Sequence, residues 1–338
     1  MNEQTRNRPV IRMAQYGTKH GHAAGKLLSM QTNPDVEVVG VYEPDRERRK
    51  ALEGTDGPFQ TVRWFNSAEE MLGDPSVTAI ASEGLNEESL NQTDQIIQAG
   101  KHCWYDKPAG DDWDQWRRVV ALAGEKHLHL QMGYMFRYHI GFGMIAEWAR
   151  SGLLGDVFSV RAHMSTNISP AAREVISVHQ GGIFYDLAGH MLDQVVWILG
   201  RPNRVTGFFQ DATGTVPGFM DNTIGVLTYD RALAIVDIAA MEPHAARRFE
   251  VCGTRGTAIL LEPFEPGSVI RLALTEPARG YAAGEQRLPV AVRGRQEQYD
   301  VELTAFVATL RGEQPPDRPP EHDLAVQETL LRATRGWG

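Results

Sequence analysis

Through roughly the first 130 residues, short apolar runs alternate with longer stretches whose apolar positions recur every three or four residues. The β-branched runs at 36–42 and 77–81 read as buried strands, with further strands at 10–16, 102–105 and 128–133. Between them the helical period predicts helices at 22–32, 86–99 and 111–125, the second stopped by Gly100 as a C-cap residue. Strands that alternate with helices mean βαβ crossovers and a parallel sheet. The pattern changes after about residue 134. Helices are predicted at 141–151 and 186–199, with a strand at 157–164. Strand-like runs at 204–209, 222–229, 232–238, 249–252 and 258–261 then follow with only turns between them, which predicts an antiparallel or mixed sheet. Helical stretches at 302–310 and 322–333 flank a Pro-rich loop at 315–320. The expectation is two domains, 1–134 and 135–338, with C-terminal helices able to pack back on the first.

Composition narrows the class. The 338 residues are 42% apolar and 23% charged, ordinary for a soluble globular protein. A formal net charge of -9 argues against nucleic acid as the main partner. No 18-residue apolar run is present, so no membrane span is expected. Met1 to Pro9 is polar and lacks the apolar core of a secretory signal, which makes the cytoplasm the simplest location. Cys103 and Cys252 lie in strand-like runs and read as buried free thiols.

Gly17-Thr18-Lys19-His20-Gly21-His22 falls between the first strand and the first helix, where a phosphate-binding glycine turn belongs. It fits G-x-G-x-x-G only in part, with Gly17 in the first position, Lys19 in the second and His22 in the third. Lys19 removes the clearance of a second glycine and offers the phosphates a cation instead. The competing reading is an ordinary strand-to-helix turn. Glu43 ends the second strand, where a carboxylate can accept hydrogen bonds from a ribose hydroxyl. Its charge would repel a 2′-phosphate and so favours NAD over NADP, although Arg46, Arg48 and Arg49 follow it and weaken that inference.

Lys107 follows the strand at 102–105 and is therefore expected at the carboxyl edge of the sheet, where open α/β folds bind ligands. Asp186 and His190 are four residues apart and share a helix face, which Asp193 and Trp197 continue. Asp193 is expected to orient His190, and Gly181-Gly182 to let backbone approach a ligand. Tyr134, Arg137 and Tyr138 follow the first domain, with Arg137 a candidate for an oxygen-rich ligand and packing at the domain hinge the competing reading. His163, His179, Glu242 and His244 are scattered without metal-ligand spacing, so no metal site is expected. Together the proton-handling groups point to removal of a proton from a hydroxyl, or its return.

These residues resemble the glucose–fructose oxidoreductase / inositol dehydrogenase (Gfo/Idh/MocA) family along nearly the whole chain. Ala99-Gly100-Lys101-His102-Cys103-Trp104-Tyr105-Asp106-Lys107-Pro108 is similar to its A-G-K-H-V-x-x-E-K-P segment, with Asp for Glu. The stretch from Gly181-Gly182 through Asp186, His190 and Asp193 is similar to its G-G-x-x-x-D-x-x-x-H-x-x-D segment, and Gly253-Thr254-Arg255-Gly256 to its G-T-x-G turn. The family's T-P-N-x-x-H stretch appears as Gly84-Leu85-Asn86-Glu87-Glu88-Ser89, keeping only Asn86, while Glu83 and Glu87 add acid near the nicotinamide edge. The resemblance implies an N-terminal Rossmann domain with a doubly wound parallel sheet, and a C-terminal α/β domain with an open, mostly antiparallel sheet. It also implies bound NAD and homodimers or homotetramers through that sheet. By analogy Lys107 binds the reacting oxygen, Asp186 positions a sugar, polyol or sugar-like cyclic alcohol, and His190 is the general acid/base. Two other outcomes stay open on this scaffold: a hydrolase or lyase that oxidises a sugar transiently, and a non-catalytic regulator.

Overall fold

The computed structural model describes residues 9–336, so Met1 to Arg8 of the polar N-terminal stretch lie outside the described residues. In chain order come β1 (Ile11–Tyr16), α1 (Ala23–Thr32), β2 (Val36–Tyr42), α2 (Arg46–Glu53), α3 (Ala68–Gly73), β3 (Ala79–Ser82) and α4 (Asn86–Gln98). They are followed by β4 (His102–Tyr105), α5 (Trp113–Glu125) and β5 (Leu130–Met132). A 3₁₀ turn at Met135–Tyr138 leads to α6 (Ile140–Arg150), β6 (Val157–Ser165), α7 (Pro170–Ile176) and α8 (Ile183–Leu199). Then come β7 (Arg204–Gln210), β8 (Asn222–Thr228), β9 (Leu233–Ala239), β10 (Arg247–Gly253), β11 (Gly256–Leu261), β12 (Val269–Leu274) and β13 (Gly284–Pro289). The last helices are α9 (Arg295–Leu310) and α10 (Pro320–Arg335). Two compact units result: one runs to Gly133 and takes back Arg295–Pro320, and the other holds Tyr134–Gly294 and the chain from Glu321 on.

The first unit is a parallel sheet in the order β2-β1-β3-β4-β5. Its register pairs Tyr16 with Tyr42 and with Ser82, Ser82 with Tyr105, and Tyr105 with Met132. The carboxyl ends of all five strands are therefore level, and the residues after them share one edge. The strands are buried, with Met13, Val41, Ile80, Trp104 and Tyr105 in the core. Helix α1 packs on α9, which is how the C-terminal region joins this unit.

The second unit is built on an eight-stranded sheet in the order β13-β12-β11-β10-β6-β9-β8-β7. Only β6 and β9 pair in parallel; the remaining pairs are antiparallel. Helix α8 covers one face, packing on β6, β8 and β9, and is buried along most of its length. Alternation along the strands sends Phe208, Ile224, Leu233 and Ile235 to the other face, where they are exposed.

The doubly wound parallel sheet and the open, mostly antiparallel sheet match the expectation. Three short helices and two strands were not foreseen. Helix α2 buries no residue and has no apolar stripe to read; it is held at its start by Asp45, which accepts from the backbone N–H of Glu47 and Arg48. Strand β12 alternates buried and half-buried residues, and its partner β13 is a polar edge strand.

Candidate functional site

At the carboxyl edge of the first sheet the chain leaves β1 through Gly17, whose φ of +83° is left-handed. A Cβ there would lie 2.7 Å from the backbone N of Gly84, so only glycine fits. The turn is tied to its neighbours by Gly17 N–H to Tyr42 O (2.8 Å) and His20 N–H to Glu83 O (3.0 Å). Thr18 donates its hydroxyl to Glu43 Oε2 at 2.6 Å and accepts from Arg48 Nε at 2.7 Å. Glu43 Oε1 accepts from the backbone N–H of Asp45 at 3.0 Å. The structure thus gathers Gly17, Thr18 and Glu43 as the sequence predicts, and adds Arg48.

Lys19 does not extend away from the turn as a free cation. Its ammonium donates to Glu88 Oε1 at 2.8 Å, and that hydrogen bond raises its pKa. Glu88 lies in the first turn of α4, which opens on Asn86.

His20, His22, Lys26, Glu83 and Asp106 form a charged group at the same edge. Asp106 Oδ2 lies 2.9 Å from His22 Nδ1, 3.4 Å from His20 Nδ1 and 3.2 Å from Lys26 Nζ. Lys26 Nζ also lies 3.0 Å from Glu83 Oε1 and 4.2 Å from the centroid of the Trp104 ring. Asp106 Oδ1 accepts from the backbone N–H of Lys107 at 2.8 Å, so this group fixes the start of the Lys107 segment. Lys107 itself is buried, and its bond to Pro108 is cis. Burial acts to raise the Asp106 carboxyl, but His20, His22 and Lys26 outweigh it and hold it well below the carboxylate range. Burial pushes Glu83 well above that range, against the pull of Lys26. Burial also lowers His22, in spite of Asp106.

Each of His20, His22 and Asp106 presents a ligand atom within 4.8 Å of the others, spacing that a metal ion can use. The Lys26 ammonium beside Asp106 already supplies a cation there, so the group reads as an ion-pair and hydrogen-bond set. His163 meets Asp237 at 3.1 Å and Glu242 at 3.6 Å on the open face of the second sheet, and His179 stacks on Tyr185.

In the second unit Asp186 stands in the first turn of α8 and His190 one turn later. The His190 ring is buried and stacks on Phe136 with centroids 4.5 Å apart. Tyr134 is buried at the start of the 3₁₀ turn. Of the two readings of Arg137, its contacts support the packing one: its Nε donates to Asp193 Oδ1 at 2.8 Å, and it lies over the Trp197 ring. Asp193 also meets His322 Nε2 at 2.7 Å, so the lower part of the α8 stripe serves as an internal brace. The Gly181-Gly182 pair is explained by close packing of this unit. A Cβ on Gly181 would meet the Thr334 side chain at 2.4 Å, and one on Gly182, at φ +52°, would meet Met220 O at 2.5 Å.

Sequence reasoning passed over Lys26 and Glu302, and noted Asp106 without giving it a role. Lys26 sits on the buried face of α1 with Ala23, Leu27 and Met30, and Glu302 on that of α9 with Tyr299, Leu303 and Phe306. A charged residue inside an apolar stripe was the available signal.

A glycine turn at the first strand end, a carboxylate closing the second strand and a lysine beyond the fourth define a dinucleotide-binding protein of the Rossmann type. The turn suits such a cofactor, because Gly17 lets it close against Glu83 and Gly84. Residues 12–134 match the model of the oxidoreductase family with an NAD-binding Rossmann fold, and residues 142–259 match the GFO/IDH/MocA C-terminal domain. The chain belongs to the Gfo/Idh/MocA oxidoreductase family. It is 25% identical over 304 residues to the 1,5-anhydro-D-fructose reductase of Ensifer adhaerens, covering 88% of each chain. Its fold is similar to that of GenD2 from gentamicin A biosynthesis in complex with NAD, with TM-score 0.80, 21% identity, and coverage of 97% of this chain and 94% of the other. It is also similar to that of UDP-N-acetylglucosamine 3-dehydrogenase GnnA from Acidithiobacillus ferrooxidans, with TM-score 0.79, 17% identity, and coverage of 97% and 98%. Among the described residues, no helix is long and apolar enough to cross a membrane.

Proposed function

We propose that this chain is an NAD-dependent oxidoreductase that moves a hydride between the nicotinamide and the hydroxyl-bearing carbon of a sugar, polyol or sugar-like cyclic alcohol. The observation that carries the reading is the level carboxyl edge of the first sheet, with Glu43, Gly17 and Lys107 placed after β2, β1 and β4. Relatives that bear the names of an anhydrofructose reductase and a nucleotide-sugar dehydrogenase support the substrate class. The nicotinamide supplies the hydride acceptor or donor. Glu43 and Asn86 would serve the cofactor, with Glu43 favouring NAD because its charge opposes a 2′-phosphate. Lys107 would hold the reacting oxygen, Asp186 and Tyr134 would position the substrate, and His190 would exchange the hydroxyl proton.

The test is a fluorescence titration of cofactor-stripped protein with NAD and NADP, followed by a sugar and polyol screen. Tighter NAD binding is expected, and Lys107→Ala and His190→Ala should each lower turnover by about 10²-fold or more with folding intact. Unchanged turnover in both variants overturns the residue roles, and failure to bind either nucleotide overturns the function. The same reading includes a homodimer or homotetramer in which a second copy covers the open sheet face. That face carries Phe208, Ile224, Leu233 and Ile235 beside Arg161, Arg248, Glu250 and Asp237, so it offers both charge signs to a copy of itself.

A further inference from the structure

The Lys26 ammonium is shared between buried carboxyls. Glu83 and Asp106 meet one ammonium, Glu302 acts on it electrostatically, and the side chains of Lys26, Glu83 and Asp106 are 1%, 0% and 2% exposed. Glu302, from α9, is likewise fully buried. With every carboxyl ionised, negative charge would crowd around that ammonium away from water, which is costly. Asp106 is the acid equipped to stay charged, because His20, His22 and Lys26 all meet its Oδ2. The other two acids then hold protons, and the structure supplies a route for exchanging them. His20 and His22 are 9% and 13% exposed, and His20 Nδ1 lies 3.7 Å from Glu83 Oε2.

The position of this store along the sheet gives it a use. With the ribose partner Glu43 after β2 and the glycine turn after β1, a dinucleotide laid across the edge has its nicotinamide half toward β3 and β4. Glu83 and Asp106 follow those two strands directly. The nicotinamide ring is positively charged when oxidised and uncharged when reduced.

Resting on the cofactor reading above, we propose that the buried set Lys26, Glu83, Asp106 and Glu302 is a proton store matched to the charge of the nicotinamide. It gives up a proton when the oxidised ring binds and takes one back when the ring is reduced. The balance over an alcohol oxidation closes. The carbinol carbon loses a hydride to the ring and its hydroxyl loses a proton. The ring loses its positive charge, and one carboxyl O–H forms in the store, by exchange with solvent. The protein with its cofactor therefore keeps its charge while the substrate becomes a carbonyl.

Every charged or titratable group facing the store is consistent with this role. They are Lys26 on α1, His20 and His22 on the turn, Glu83 after β3, Cys103 on β4, Asp106 and Lys107 after β4, and Tyr299 and Glu302 on α9, with Arg318 beyond. Burial pushes the Glu302 carboxyl up to about 8 and Glu83 well above its usual range, so a nearby positive charge can draw a proton off near neutrality.

The test is calorimetric titration of the cofactor-stripped protein with NAD⁺ and with NADH, in two buffers of different ionisation enthalpy. Near neutral pH, NAD⁺ binding should release about half a proton or more per site beyond what NADH releases. Glu83→Gln or Glu302→Gln should abolish that difference while both nucleotides still bind, and two variants guard against one failing to fold. Equal proton changes for the two nucleotides overturn the proposal, as does a difference that persists in both variants. Absence of any binding heat instead overturns the cofactor reading, and this proposal with it.

Discussion

Lys26→Met tests whether the ammonium holds the buried acids together. Methionine keeps the length and apolar stem of the side chain, so little packing over Trp104 is lost. At 3.2 Å from Asp106 Oδ2 and 3.0 Å from Glu83 Oε1, the charge interacts with an ionised partner by about 5 kcal/mol at an effective dielectric constant of about 20. Burying the ammonium offsets part of this, and breaking such a buried pair from one side costs about 3–5 kcal/mol. All three side chains are almost fully buried, so solvent screening does not reduce the figure. The melting temperature should fall by roughly 6–20 °C. The pH dependence has a definite sign. The folded Asp106 value is depressed, so its contribution is present above the unfolded carboxylate value of about 4 and is lost as pH falls through the folded value. Without Lys26 that depression shrinks. The gap between wild type and variant should thus be widest at neutral pH and close toward strong acid. Glu83 moves the other way: already raised, it simply stays protonated in the variant and adds little to the gap. Urea denaturation at pH 7 and near pH 3 measures both, with Lys26→Met/Asp106→Asn expected to recover part of the loss by removing the stranded anion. A gap below about 1 kcal/mol at pH 7, or one that widens toward acid, would refute the reasoning.

Gly182→Ala forces a side chain into a left-handed conformation and against Met220 O, so it should destabilise the second unit by about 2–4 kcal/mol in denaturant unfolding; a loss below 0.5 kcal/mol, roughly that of a bland surface change, would mean the close approach relaxes freely. Leu233→Lys/Ile235→Lys places charges on the open sheet face and should shift sedimentation toward a smaller species with the fold retained by circular dichroism. An unchanged mass distribution would show that copies do not meet there.

The parallel sheet and the broken-up second sheet were legible because their patterns depend on period alone. Val36–Tyr42 and His102–Tyr105 were bounded to the residue, since buried strands announce themselves as apolar runs between turn residues. The motifs also placed Gly17, Glu43 and Lys107 on the correct edge, because that edge follows from strand direction. What the sequence hid was the company each polar side chain keeps. Lys19 looked like a phosphate cation until α4 brought Glu88 to it, and Arg137 looked like a ligand arm until one turn of α8 delivered Asp193. Both pairings join residues distant in the chain, 69 and 56 positions apart, and no local pattern encodes them.

Lys26 and Glu302 are a different case, because a rule was available. Each interrupts an apolar stripe, one on α1 and one on α9, and those two helices pack together. A single charge on a buried stripe is normally eliminated by its desolvation cost. Two opposite charges on stripes that face each other halve the problem without solving it, since Glu83 and Asp106 add further acid. Burial raises the Glu83 and Glu302 carboxyls and so favours protons on them, and a pocket that holds protons in this way will respond to a charge placed beside it. The stability of the first unit and the proton balance of its cofactor edge are therefore two readings of one electrostatic fact. Lys26→Met and Glu83→Gln should perturb both together.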